Sequence, residues 1–478
     1  MLFNSFEFLL FLPVVFTLYW LNRRKLLVQN SILVLASYFF YGWWSFSFLG
    51  LLFVSTVLDY TYGFLVAGSS KVRAKFFLGL SVVNNLGILG IFKYYNFFVS
   101  EISIGLELLN IRYDPLFLNF ALPIGISFYT FHGMSYVFDI YRGAQRPVRS
   151  FLDYALFVSF FPLLVAGPIE RAHHLLPQIQ LLRRFNYSQA VGGLRLILWG
   201  LFKKVVVADS LAVIVDSMFS QPDDFNGFAL IIGSVAFSFQ IYGDFSGYSD
   251  IAMGVAKLFG FELLSNFKFP YFSRNIAEFW RRWHISLSSW FKDYLYVPLG
   301  GSRGSRLLTV KNTFIIFLVS GFWHGASWTF VFWGLIHSFA FLPILILNKN
   351  RVYVSEIVAA NNNLPSFSEF VKMLSTFLIV TFAWVFFRAE TVELALKFLL
   401  RIITDIYINP MQFLELPEGM SAFIYIFPLI LGDWYLRRDE RDLRIFKSSA
   451  LRHLTYWILV ILIFISFAEE SSFIYFQF

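Results

Sequence analysis

Two histidines and a cluster of arginines and tryptophans occur where this chain is otherwise apolar. His324 sits in Phe322-Trp323-His324-Gly325, between two apolar runs. An imidazole at membrane depth can stay neutral and still take a proton from a hydroxyl, because its unperturbed pKa lies near neutrality. A buried histidine bonded to a neighbouring helix would leave the same local sequence. His284 belongs to a second, charged constellation, RNIAEFWRRWHISLSSWFKDYLY, at residues 274–296. Cations and imidazoles beside lipid are expensive, so residues 274–325 read as a functional core that the rest of the chain holds at membrane depth.

The spacing predicts a helix over 275–296. Trp280, Trp283, Leu287, Trp290 and Tyr294 recur at intervals of three and four, on one face. Arg281, His284 and Ser288 share another. The tryptophan stripe also fits interfacial anchoring or core packing. Arg281 and Arg282 fit either the positive-inside rule or the binding of an anionic donor such as a phosphorylated thioester carrier. Asp293 reads as a structural ion-pair partner. Upstream, the segment from Gln240 to Asp250 holds two Gly and two Asp. At membrane depth it must be protein-buried or cavity-lining, which makes Gln240, Asp244 and Tyr248 candidate lining residues.

Several chemistries fit poorly. The chain has no Cys, so disulfides, thiolate metal sites and a cysteine nucleophile are excluded. His132, His173, His174, His337 and His453 show no ligand spacing with His284 or His324, so no metal site is expected. No G-x-S-x-G elbow supports a serine triad. Asp244 to Asp250 faintly resembles a calcium loop but lacks its length and terminal Glu, which leaves a structural or substrate-lining role.

The elements that must position these residues are membrane helices. The 478 residues are 58% hydrophobic and 14% charged, with 63 Phe, against about 25% charge in a soluble protein. Apolar runs recur from end to end, as in a polytopic helical protein. About twelve spans are expected in one membrane domain over residues 1–478. The first, 3–21, lacks a basic leader and a cleavage site and reads as retained. The segment 151–165 is short, ends in Gly167-Pro168, and reads as re-entrant or interfacial. The eighth span, 312–322, is short enough to place His324 inside a thin barrier. The net charge of +8 lies in loops between apolar runs, which argues orientation rather than nucleic-acid binding. Positive-inside logic puts both termini outside, with an aromatic tail at 468–478. No fixed-period repeat or inverted pair of halves appears.

The 274–296 segment and Gly321-Phe322-Trp323-His324-Gly325 resemble the membrane-bound O-acyltransferase family. FPLLVAGPIER at 161–171, DFSGYSD at 244–250 and Phe386-Phe387-Arg388-Ala389 are similar to its bacterial polysaccharide branch. The resemblance implies an all-α ring of about 11–12 tilted helices, with re-entrant and interfacial helices around a thinned centre. A cytoplasmic thioester, acetyl-CoA or an acyl carrier protein, would meet an extracytoplasmic acceptor there, with no bound cofactor. The family's catalytic histidine falls on His324, as general base. Its second falls on His284, which would orient the donor or stabilise charge on the carbonyl oxygen. Arg281, Arg282, Trp283, Ser288 and Trp323 would line the site.

The resemblance further implies a bacterial inner-membrane enzyme that O-acetylates an exopolysaccharide such as alginate through an extracytoplasmic SGNH-type partner. D-alanyl transfer to teichoic acid is the alternative within the class. A transporter of a polysaccharide or anion is the alternative outside it, and the single asymmetric cluster favours the enzyme. The tail's FIYFQF is similar to the aromatic motif of small peptides that accompany the D-alanyl-transferring relatives. Tyr475 could therefore carry the acyl group transiently, or serve as an interfacial anchor.

Overall fold

The computed structural model describes residues 1–406, 419–441, 446, 448–467 and 473–474. Among them the regular structure is helical, and seven helices are long and apolar enough to cross a membrane. Phe6–Leu21, Leu26–Gly42 and Met420–Leu436 are shorter apolar helices. The chain is a multi-pass membrane protein. Its residues group into two compact units, Met1–Ala190 with Val255–Leu264, and Val191–Gly254 with Ser265–Phe478.

In the first unit, the buried carboxylate of Asp59 is matched by protein donors, as a medium without water demands. Asp59 accepts from Asn85 at 2.8 Å and Ser81 at 3.1 Å. Gly133 makes room for it, since a Cβ there would overlap the Asp59 carboxylate. The predicted break at Gly167-Pro168 is present. Helices Phe151–Ser159 and Phe161–Leu164 end before it, and residues 165–171 run as buried irregular chain. Glu170 holds that chain by accepting from Leu264 N–H and pairing with His174, both at 2.6 Å. His132 Nε2 accepts the Glu170 N–H at 3.0 Å. The sequence expected a span over 116–140, but the helix is Ile126–Tyr141, and Lys71–Leu108 is one 38-residue helical stretch.

The second unit carries the candidate site, and here the structure corrects two expectations. The short eighth span is a 19-residue helix, Arg306–His324, with His324 at its C-terminal end. Polar residues in its first turns hid its length, so the thin-barrier argument built on a short span does not hold. The single helix over 275–296 is broken into Ile276–Arg282 and Ile285–Phe291, followed by a wider turn at Lys292–Tyr296. A shared helical face is therefore not what groups Arg281, His284 and Ser288. An amphipathic helix at Val392–Asp405 was not expected from sequence.

Arg306–His324 and Trp328–Ile346 cross closely because glycines face one another's backbones, the usual device between membrane helices. A Cβ at Gly321 would overlap the Phe330 carbonyl, and one at Gly334 would overlap that of Phe317. Gly321→Val is expected to destabilise the protein by about 1–3 kcal/mol through overpacking. Thermal unfolding of the detergent-purified protein reads this, and an unchanged transition would contradict the close crossing.

Candidate active site

The site begins at the break between the two short helices. His284 has φ +41° and ψ 55°, the left-handed region. For a residue with a Cβ this costs about 1–3 kcal/mol and persists only when neighbours over-determine it. They do. Lys268 N–H donates to Arg282 O, and Ile285 N–H to Asn266 O, each at 2.9 Å. Asn266 Oδ1 accepts from Ser286 Oγ at 2.6 Å, and its amide donates to Ser249 Oγ at 3.1 Å. Residues 266–268 thus brace both sides of the kink. Asn266 was not singled out from sequence. Its one signal is a lone amide inside an aromatic stretch.

The kink turns His284 toward His324, with ring centroids 6.4 Å apart. Trp323 lies against both rings, at 6.0 Å from His284 and 5.0 Å from His324. Phe245 meets His284 edge-on at 4.6 Å. Trp333 and Phe387 each meet His324 edge-on at 5.2 Å. Behind them, Trp384 links Trp283 at 5.0 Å to Phe387 at 5.1 Å. Trp333 and Trp384 were not singled out from sequence, and Phe387 only within the Phe386–Ala389 motif, because the shell is assembled from helices far apart in sequence. A third buried imidazole, His337, accepts from Trp280 Nε1 at 3.3 Å and belongs to the packing.

Both candidate imidazoles are buried. His284 is 1% exposed and His324 is 4% exposed. The sequence reading expected an imidazole inside a thin barrier, within reach of both compartments. Among the described residues Trp323, Trp333 and Phe387 instead pack against the His324 ring.

The remaining predicted site residues divide. Trp283 is buried in the aromatic shell, stacked on Phe279 at 5.5 Å. Ser288 Oγ donates to Trp283 O at 3.4 Å, a local contact. Arg281 and Arg282 are committed to protein groups. Arg281 donates to Asn350 O and Val352 O at 2.8 Å. Arg282 donates to Glu278 at 2.8 Å and Glu356 O at 3.0 Å. Gln240, Asp244 and Tyr248 lie buried on the Gly227–Leu258 helix. Tyr475 lies outside the described residues.

The DFSGYSD segment is part of that continuous helix, not a loop, so the faint calcium-loop likeness ends here. Its two carboxylates face two buried lysines on a wide-turn segment, Phe202–Ala208. Lys203 pairs with Asp250 at 2.9 Å and Asp433 at 4.0 Å. Lys204 pairs with Asp244 at 2.6 Å and Asp209 at 2.8 Å. Gly200 and Gly247 let the two backbones approach, since a Cβ on either would crowd the other's carbonyl. Removing one partner of such a pair would leave an uncompensated charge, at roughly 3–5 kcal/mol. Among the described residues no group of three His, Cys, Asp or Glu could hold a metal ion.

Comparison with known proteins decides the family. Residues 38–350 match MBOAT, the membrane-bound O-acyltransferase family. The chain belongs to that family. Within the membrane-bound O-acyltransferases it is 40% identical over 400 residues to "Probable alginate O-acetylase AlgI" of Pseudomonas syringae pv. tomato, covering 83% of this chain and 74% of the relative. It is 35% identical to the "Peptidoglycan O-acetyltransferase" of Helicobacter pylori, over 99% of this chain and 90% of the relative. A "Teichoic acid D-alanyltransferase" of Streptococcus thermophilus is 29% identical over 50% of this chain and 62% of its own. The protein is a membrane O-acyltransferase.

The brace around His284 generates an expectation. Asn266→Ala should reduce acyl transfer by about 100-fold through misplacement of the kink, while membrane insertion stays intact. Asn266→Asp, which keeps the Oδ1 acceptor for Ser286 while losing the amide donor to Ser249, should retain more. Transfer assays on membranes check this, and full activity in the alanine variant would contradict it.

Proposed function

We propose that this protein moves an acetyl group from a cytoplasmic thioester to a hydroxyl on the far side of the bacterial inner membrane, for O-acetylation of an extracytoplasmic polysaccharide. The observation that carries the reading is the pair of buried imidazoles 6.4 Å apart on two helix ends. In the proposed step His324 takes the proton of the attacking hydroxyl. The oxygen bonds to the thioester carbonyl carbon, and His284 orients the donor or stabilises the carbonyl oxygen as it becomes negative. The carbon–sulfur bond then breaks, and the thiolate recovers the proton from His324. The proton inventory closes without a bound cofactor. Because both rings are buried, donor and acceptor reach them only when covering side chains move.

The donor in this proposal is acetyl-CoA or an acyl carrier protein. The acceptor is served through an SGNH-type partner outside, lipid surrounds the helices, and both termini lie outside. The relatives named for alginate support an exopolysaccharide. A peptidoglycan glycan is the second reading, favoured by a relative that aligns with 99% of this chain. Alignment with D-alanyltransferases covers half of it, which supports alanyl transfer less.

His324→Ala is expected to lower polymer acetylation by about 100-fold or more, with polymer export unchanged. Mass spectrometry of the isolated polymer reads both. Lost export with unchanged acetylation would support a transporter instead. Tyr475 remains in the proposal as a transient acyl carrier: Tyr475→Phe should abolish transfer in a normally inserted protein, whereas an interfacial anchor would tolerate it.

A further inference from the structure

One contact near the histidine pair is not used by the reaction proposed above. Ile474 N–H donates to Asp244 Oδ2 at 2.7 Å, in a buried contact that spans 230 residues of sequence. The other oxygen, Asp244 Oδ1, pairs with Lys204 at 2.6 Å, and Lys204 also reaches Asp209. Phe473 and Ile474 are 1% and 2% exposed. The Phe473 ring lies 5.1 Å from Tyr248 and 6.2 Å from Phe245, and Phe245 is the ring that meets His284 edge-on.

We infer that Asp244 is a positioning residue that seats the Phe473-Ile474 segment beside the histidine site. The inference rests on the acyl-transfer reading for its consequence, but not for the seat itself. A carboxylate offers several acceptor positions, and a lysine occupies only part of them. In a medium without water the rest need donors. The Ile474 N–H supplies one, charge-assisted and so stronger than a neutral bond. It recognises backbone, so it fixes the position of Ile474 rather than which side chain is present. Phe473 then completes a run of edge-to-face ring contacts through Phe245 to His284. The lysine carries structural weight as well. It holds the Asp244 carboxylate in place and pairs with Asp209 as well.

The chain has no Cys, so Ile474→Cys introduces a single thiol that keeps the backbone N–H. In full-length protein in membranes, a maleimide should label this thiol slowly. Adding Asp244→Asn should raise the labelling rate about tenfold, as expected for loss of one charged hydrogen bond. In chains without the cysteine, Asp244→Asn and Ile474→Pro, which removes the N–H donor and also fixes the local φ, should each lower acyl transfer by about tenfold or more. Rapid labelling in the parent, or labelling unchanged by Asp244→Asn, would overturn the seat. Labelling that rises while transfer stays normal would overturn its role, and so would transfer lost in Asp244→Asn but kept in Ile474→Pro. A parent chain with no transfer at all would instead remove the acyl-transfer reading, and the labelling result would still stand or fall alone.

Discussion

Holding residue 284 in the left-handed backbone region is the constraint on which the site depends. A continuous helix through 275–296 would carry His284 along one face together with Arg281 and Ser288. The break turns it toward His324 instead. Such a conformation costs about 1–3 kcal/mol and needs support on both sides. The support comes from residues 266–268, through backbone bonds to Arg282 and Ile285 and through the Asn266 side chain. His324 is placed by a different device, the end of a helix whose glycines bring it close to Trp328–Ile346.

Around these two rings the protein uses aromatic packing and paired charge for separate tasks. Trp283, Trp323, Trp333, Trp384 and Phe387 pack in an aromatic cluster around the buried imidazoles. Dry surroundings strengthen any electrostatic interaction with a reacting carbonyl. Lys203 and Lys204, facing four aspartates, lock the Gly227–Leu258 helix to its neighbours. The same network leaves one carboxylate oxygen directed at the tail. Arg274, buried between Glu278 and Glu369, performs the corresponding task beside the kink.

Much of this was legible in the sequence. Charge-poor, apolar composition required helices, and the rarity of His, Arg and Asp at membrane depth marked His284, His324 and the 244–250 segment. The break at Gly167-Pro168 followed from backbone chemistry alone. What stayed hidden has physical causes. His284 carries no glycine-like signature, so spacing of three and four continued straight through the kink. The helix over Arg306–His324 begins in polar residues, so hydropathy registered only its second half. Arg281 and Arg282 appeared available to an anionic donor because loop carbonyls at 350, 352 and 356 cannot be seen from residue types. The aromatic shell around His324 draws on Trp333 and Phe387, whose proximity depends on tertiary packing.

The central claim is that the two imidazoles act on one reacting group. A double-mutant cycle on the rate of acyl transfer, using His284→Gln, His324→Gln and the pair together, tests it most directly. Residues that work as a unit are grossly non-additive. The account predicts that the double variant is no slower than His324→Gln alone. Losses that multiply, with each single variant retaining independent activity, would contradict it.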